Sequence, residues 1–192
     1  IAEDEFSLQL TTIYVPADYS TIQAAIDAAS TGDTIEVAEG TYYENIDFKG
    51  KDVIVTSTDP TDETVVEATI IDGDSSGSVV TIMDGESADA VLKGFTIQNG
   101  TGKDKDEDNS DTGHFGGGIY IGAKSSPTIK YNIIKNNEIK DGYSGGFFAG
   151  VGAGIFVDYT SENQPSPVID NNVIKDNTAT NSYGAGIGIN NR

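Results

Sequence analysis

The sequence predicts an all-β solenoid, a stack of short parallel strands closed at its N-terminal end by one short helix. Three observations lead there. Most of residues 116–137, GGGIYIGAKSSPTIKYNIIKNN, returns further on as GAGIFV, SPVIDNNVIKDN and GAGIGINN. Ile119 recurs as Ile155 and Ile187, 36 and 32 residues on, and Ser126-Pro127 recurs as Ser166-Pro167 after 40, so the connections vary and the strands do not. Within the unit Ile119 and Ile121 alternate as in a strand, with no helical period. Such strands cannot bury an apolar face singly. Stacked as coils about 4.8 Å apart, they align equivalent isoleucines Ile119, Ile155 and Ile187 in one interior column.

Taken in order, residues 1–12 open with three acidic residues among the first five and read as an N-terminal arm or an added edge strand. TIYV at 12–15 is a first strand, ended by Pro16. Residues 20–30 form the one helix: Ser20 and Gln23 have capping-box spacing, Ile22, Ala25, Ile26 and Ala29 share a face, and Gly32 lies just past the end. A one-sided helix at this place is expected to cap the open end of the core. Residues 33–192 then supply the coils, giving a single domain over 1–192. TIEVAEGTYYENI, KDVIVTS, EATIIDG, SVVTIMDG and AVLKGFTIQNG are successive strand runs. Residues 59–67 read as an external loop, and so does the charged run 103–112 that separates the irregular coils from the regular ones. Asn132 with Asn172 and Asn137 with Asn177 are expected to stack at corners, where asparagine tolerates a left-handed backbone and its amide bonds to the amide one coil away. The last repeat, GAGIGINNR, stops where Ser-Pro would follow, which predicts a C-terminal end that is truncated, uncapped or covered by another subunit, and hence self-association through the coil ends or the N-terminal arm.

Composition narrows the function. Thirty-one carboxylates face 11 basic residues, a net charge of −20, and the single arginine is residue 192, so nucleic acid is excluded as a partner. A polyanionic sugar is repelled unless metal ions bridge it. Cysteine is absent, so disulfides contribute nothing, and no apolar run reaches membrane-spanning length. The first residue is Ile rather than Met, which points to a removed leader or a fragment and to an extracellular or cell-surface location. Asn99-Gly100-Thr101 is a glycosylation sequon.

VPADYSTIQAAIDAASTGDTIEVAEGTYYENI, VLKGFTIQNG, GGGIYI and SPTIKYNIIKNN together resemble the right-handed parallel β-helix proteins of the pectate-lyase-like superfamily, in particular exported repeat proteins with an N-terminal capping helix. The resemblance covers nearly all of residues 12–192. It implies a right-handed parallel β-helix and leaves the activity open, because that scaffold carries lyases, hydrolases, esterases, adhesins and structural modules. The Gln-Asp-Thr context of pectin methylesterase-like enzymes and the Asn-Thr-Asp and Gly-His-Gly signatures of polygalacturonase-like hydrolases are missing here.

Several residue sets could carry chemistry. Asp104, Asp106, Asp108 and Asp111 alternate on one loop and could converge oxygens on calcium; the first three copy the opening of an EF-hand loop, after which Asn109 and Phe115 depart from it. Lys135 and Lys175 are equivalent positions and the candidates for a lyase base, with outward solubilising lysines as the plain alternative. Tyr120 and Phe156, each between two isoleucines, are expected to point outward and to offer a shared face for a sugar ring. His114 is a lone loop histidine. The function expected from these features is a non-catalytic extracellular module with a structural, assembly or glycan-contacting role towards a polysaccharide or cell-surface glycan, stabilised by calcium. The alternative is a polysaccharide-active enzyme, above all a calcium-dependent uronate lyase.

Overall fold

The computed structural model describes residues 9–104, 113–140 and 151–191. The chain is mostly β, and its parallel strands fall into three sheets that the chain visits in rotation, an arrangement consistent with an all-β parallel solenoid. The first sheet stacks Thr12–Val15, Thr34–Val37, Ile54–Ser57, Val91–Lys93, Thr128–Lys130 and Val168–Asp170. The second stacks Gly40–Tyr43, Thr69–Asp72, Thr96–Gln98, Ile133–Lys135 and Val173–Lys175. The third stacks Ile46–Asp47, Val80–Ile82, Ile119–Ile121, Ile155–Tyr159 and Ile187–Asn191. A parallel pair, Glu138–Lys140 with Thr178–Thr180, extends the last two coils.

Register follows the repeat. Ile119 opposes Val80 on one side and Ile155 on the other, and Ile155 opposes Ile187. Ile129 lies between Leu92 and Ile169, and Ile134 between Ile97 and Ile174. These columns meet in one core, which also takes in Phe48 and Phe95; Ile187 departs from the interior position expected of it, for no described coil follows it and it is 43% exposed. Each fully buried side chain of this size contributes about 1.5–3 kcal/mol relative to exposure.

The corners between the first and second sheets hold two residues in four of the five coils: 38–39, 94–95, 131–132 and 171–172. Asparagine does stack there, but the left-handed residue is the one before it. Tyr131, Asn136, Asn171 and Asp176 have φ between 52° and 57°. Each turns the chain so that the next side chain, Asn132, Asn137, Asn172 or Asn177, can bond along the stack. The Asn132 amide nitrogen donates to Asn172 Oδ1 at 3.1 Å and to the Leu92 carbonyl, while its oxygen accepts from the Phe95 N–H at 3.0 Å. Asn137 repeats the pattern with Asn177, the Ile97 carbonyl and the Gly100 N–H.

The helix, α1, spans Ile22–Ala28 with Ile22, Ala25 and Ile26 buried against the first coil. Its cap differs from the expected box. Thr21, not Ser20, is the N-cap, and its hydroxyl accepts from the Ala24 N–H. Gln23 does not reach back: its amide donates to the Asp47 carbonyl and accepts from the Asp47 N–H at 2.7 Å. The free N–H groups of Ile22 and Gln23 instead donate to the Glu44 carboxylate, each at 2.9 Å. A carboxylate from the first coil thus satisfies the helix start, as the positive end of the helix dipole favours.

A second correction concerns residues 59–67. They are not only a loop, for Glu63–Ala68 forms a short helix, α2, with Asp62 as N-cap and Val66 buried. Six residues give no usable helical period, and the helix exists because Val66 packs on the outside of the second sheet, where its carbonyl accepts from the Thr96 hydroxyl. The charged run 103–112 likewise begins and is followed by strand: Lys103–Asp104 pairs antiparallel with His114–Phe115.

Candidate functional site

On the outside of the third sheet the register forms the column Asp47, Thr81, Tyr120, Phe156, Gly188. Tyr120 and Phe156 point away from the main core, yet they are 4% and 0% exposed and so do not form an open shared face. Phe115 covers them. Its ring lies 4.8 Å from that of Phe156, which is 5.5 Å from Tyr120, and Met83 and Val151 complete a second apolar cluster. Gly188 is required beneath Val151, since a Cβ there would stand 2.2 Å from a Val151 methyl.

Lys103 lies along this cluster with its ammonium 5.9 Å from the centre of the Tyr120 ring and 3.1 Å from Met83 Sδ. It also acts on Asp47, whose carboxyl is held above the usual carboxylate range. Burial is the main cause, Asp84 and Glu86 add repulsion, and the Lys49 N–H and the Lys103 charge oppose the shift.

Glu86 is 1% exposed and ties three coils together. Its carboxylate accepts from the Gly50 N–H at 2.8 Å, the Asp84 N–H at 2.9 Å and the Ser125 hydroxyl at 2.6 Å. Fully bonded, it is a fastening rather than a reactive acid.

Beside the aromatic cluster lies a hollow of about 320 Å³ lined by Met83, Asp84, Tyr120, Gly122, Lys124 and Asp158. Gly122 lets the two coils close up at its edge: a Cβ there would stand 2.6 Å from the Met83 Cβ. The rim therefore combines carboxylates, an exposed lysine and one aromatic edge.

The lysines are elsewhere. Lys135 and Lys175 are paired in register on the second sheet, continuing the outward column Tyr43, Asp72, Gln98. Asp72 is buried and accepts from the Gln98 and Asn99 amides at 2.9 and 2.8 Å. The amide of the sequon residue Asn99 is thus engaged by a carboxylate. The structure brings Tyr120 to Phe156 and Lys135 to Lys175, but places the two pairs on different sheets.

Of the acidic candidates, Asp106, Asp108 and Asp111 lie outside the described residues, and Asp104 is placed only as backbone, opposite His114. Among the described residues no group of three or more His, Asp or Glu is arranged to hold a metal ion. Sequence reasoning did not single out Asp47, Glu86, Met83, Lys103 or the role of Phe115. Each occurs once, so no repeat marks it, and only the register brings them together.

Comparison with known proteins finds no family model that matches the chain, no matching curated protein and no matching solved structure.

Proposed function

We propose that the chain is a right-handed parallel β-helix module of the pectate-lyase-like type, working outside the cell as a non-catalytic, glycan-contacting structural element. The handedness follows from the near-universal right-handed crossover between parallel strands. The observation that carries the contact role is the hollow beside Tyr120. Its volume of about 320 Å³ suits one sugar ring, Asp84 and Asp158 supply acceptors for hydroxyl groups, and Lys124 supplies a donor. Neutral glycans suit it better than polyuronates, given the net charge of −20. Calcium belongs to the proposal as a stabiliser held by the acidic segment 104–111.

Affinity electrophoresis in gels cast with neutral glucans, mannans or polygalacturonate tests the reading. Retardation by a neutral glycan that Asp84→Asn and Lys124→Ala both abolish is the expected result; mobility unchanged in every gel refutes it. A rise in melting temperature with calcium, reversed by chelator, is expected of the acidic segment.

The in-register Lys135 and Lys175 column favours the second reading, a calcium-dependent uronate lyase. Sustained release of unsaturated uronides from polygalacturonate or alginate with calcium, lost in Lys135→Ala, would replace the first reading by this one.

A further inference from the structure

The strongest departures from the repeat meet at a single place that the glycan reading does not use. Four corners between the first and second sheets hold two residues, whereas the second coil inserts residues 58–68, including α2. This insertion lies against the coils that follow. Gly94, at the next corner, allows the approach, because a Cβ there would come within 2.6 Å of Pro60. One corner further, the left-handed position is filled by Tyr131, where Asn171 stands in the following coil. A bulky aromatic residue at φ 57° is unfavourable relative to asparagine or glycine. The insertion and the anomalous tyrosine line the same cavity, about 230 Å³, with Pro60, Val66, Ile133 and Val173 as its apolar wall and Thr61, Glu63 and Asn171 at its polar edge.

The chemistry of that lining is specific. An aromatic ring and an aliphatic wall suit a hydrocarbon stem, and a carboxylate beside a ring suits a cation. The insertion carries Asp59, Asp62, Glu63 and Glu67 and no basic residue. Asp170, bonded to the Asn171 amide at 2.7 Å, adds a further negative charge at the corner, with Lys130 opposite it in the first sheet. Val173 is 49% exposed, so the wall is open to an incoming chain.

We propose that this cavity seats the side chain of a lysine or arginine presented by a basic protein segment. The aliphatic stem lies on Val66, Ile133 and Val173, and the cationic head stands between Glu63 and the face of Tyr131. This contact is independent of the glycan hollow, which lies on the third sheet.

The test is an amide-shift titration of the isotope-labelled chain with Nα-acetyl-lysine amide, run beside the neutral isostere Nα-acetyl-norleucine amide and methyl glucoside. The expected result is a saturable shift confined to the amides of Glu63, Tyr131, Asn171 and Val173, with affinity near about 1 mM for the lysine derivative. Glu63→Gln should weaken it about five-fold or more. So should Tyr131→Asn, a variant that restores the residue of the next coil and relieves the left-handed tyrosine, so that folding is not at risk. Equal response to norleucine would leave only a greasy cleft and overturn the proposal. A selective response to methyl glucoside would make it a sugar site and overturn it equally. Shifts spread over the acidic surface and untouched by both variants would reduce it to diffuse counterion attraction.

Discussion

The coils of residues 33–98 and those of residues 128–180 bury the same kind of core but are fastened differently. In the later coils the fastening is repeated: Asn132 to Asn172 and Asn137 to Asn177 bond in the same way, 40 residues apart. In the earlier coils each fastening occurs once and several are carboxylates, beside the Asn45 amide on the Ser76 and Ser78 carbonyls and the Lys51 ammonium on the Ile26, Asp27 and Ala29 carbonyls. Glu44 holds the start of α1, Asp33 holds the Thr11 and Ser30 N–H groups, Asp72 gathers two amides, and Glu86 joins three coils. An amide ladder can be copied coil after coil because each member both donates and accepts. A carboxylate ladder cannot, since like charges would stack at the coil spacing. The difference explains why the later half is regular and the earlier half is not, and it makes the two halves respond differently to mutation and to acid.

The largest effect is expected at the ladder. In Asn137→Ala the buried Gly100 N–H and Ile97 carbonyl lose the side-chain amide, while the Asn177 oxygen keeps only the backbone N–H of residue 137. Leaving such groups unpaired costs about 1–3 kcal/mol each before relaxation, so a loss of roughly 3 kcal/mol is expected in urea unfolding. A loss under about 1 kcal/mol would show that the ladder follows the fold rather than holding it. Glu86→Gln comes next. It keeps one acceptor oxygen but presents an amide donor to neighbours that also donate, and a loss of roughly 1–2 kcal/mol is expected from the same measurement.

The comparison also shows what the sequence made legible. The interior column was readable because Ile119 and Ile155 recur between fixed neighbours, although Ile187, in register with them, is exposed, and the corners were readable because asparagine recurs with them. Four details failed for physical reasons. The left-handed position is one residue earlier than the stacked asparagine, and Tyr131 there hides the pattern that Asn136 and Asn171 would have given. Tyr120 and Phe156 were placed outward correctly but are covered, since Phe115 and Val151 come from segments that do not repeat. The helix α2 is too short for periodicity, and the Asp47, Glu86 and Lys103 group is assembled from three separate stretches by register alone.

Acid separates the halves. The Ser30 and Thr11 N–H groups donate to Asp33 and hold its carboxyl below the usual carboxylate range. Its contribution is therefore complete above the ordinary carboxylate pKa and is lost as pH falls through the depressed folded-state value. The Asn132 and Asn137 ladders have no group that titrates there. Hydrogen exchange read segment by segment as pH falls below about 4 should lose protection first in Thr12–Val15 and Thr34–Val37, with Thr128–Lys130 and Ile133–Lys135 still protected. Simultaneous loss in all four strands would mean that the halves do not differ in their fastening.

Asp47 runs the other way and gives the smallest effect. Its folded-state pKa is raised, chiefly by burial and then by Asp84 and Glu86, so the folded chain binds the proton more readily than the unfolded one. Stability from this group therefore rises as pH falls through the raised value and stops rising below the ordinary carboxylate pKa. Asp47→Asn removes the charge while keeping an oxygen to accept the Lys49 N–H, which the carboxylate now binds at 2.8 Å. The variant should be more stable than the parent at pH 7 by roughly 0.5 kcal/mol, with the advantage gone below about pH 4. A variant less stable at pH 7 would mean that attraction to Lys103 outweighs burial and the repulsion from Asp84 and Glu86. In that case the earlier coils would hold their carboxylates by charge as well as by hydrogen bonds, and added salt would weaken those coils selectively.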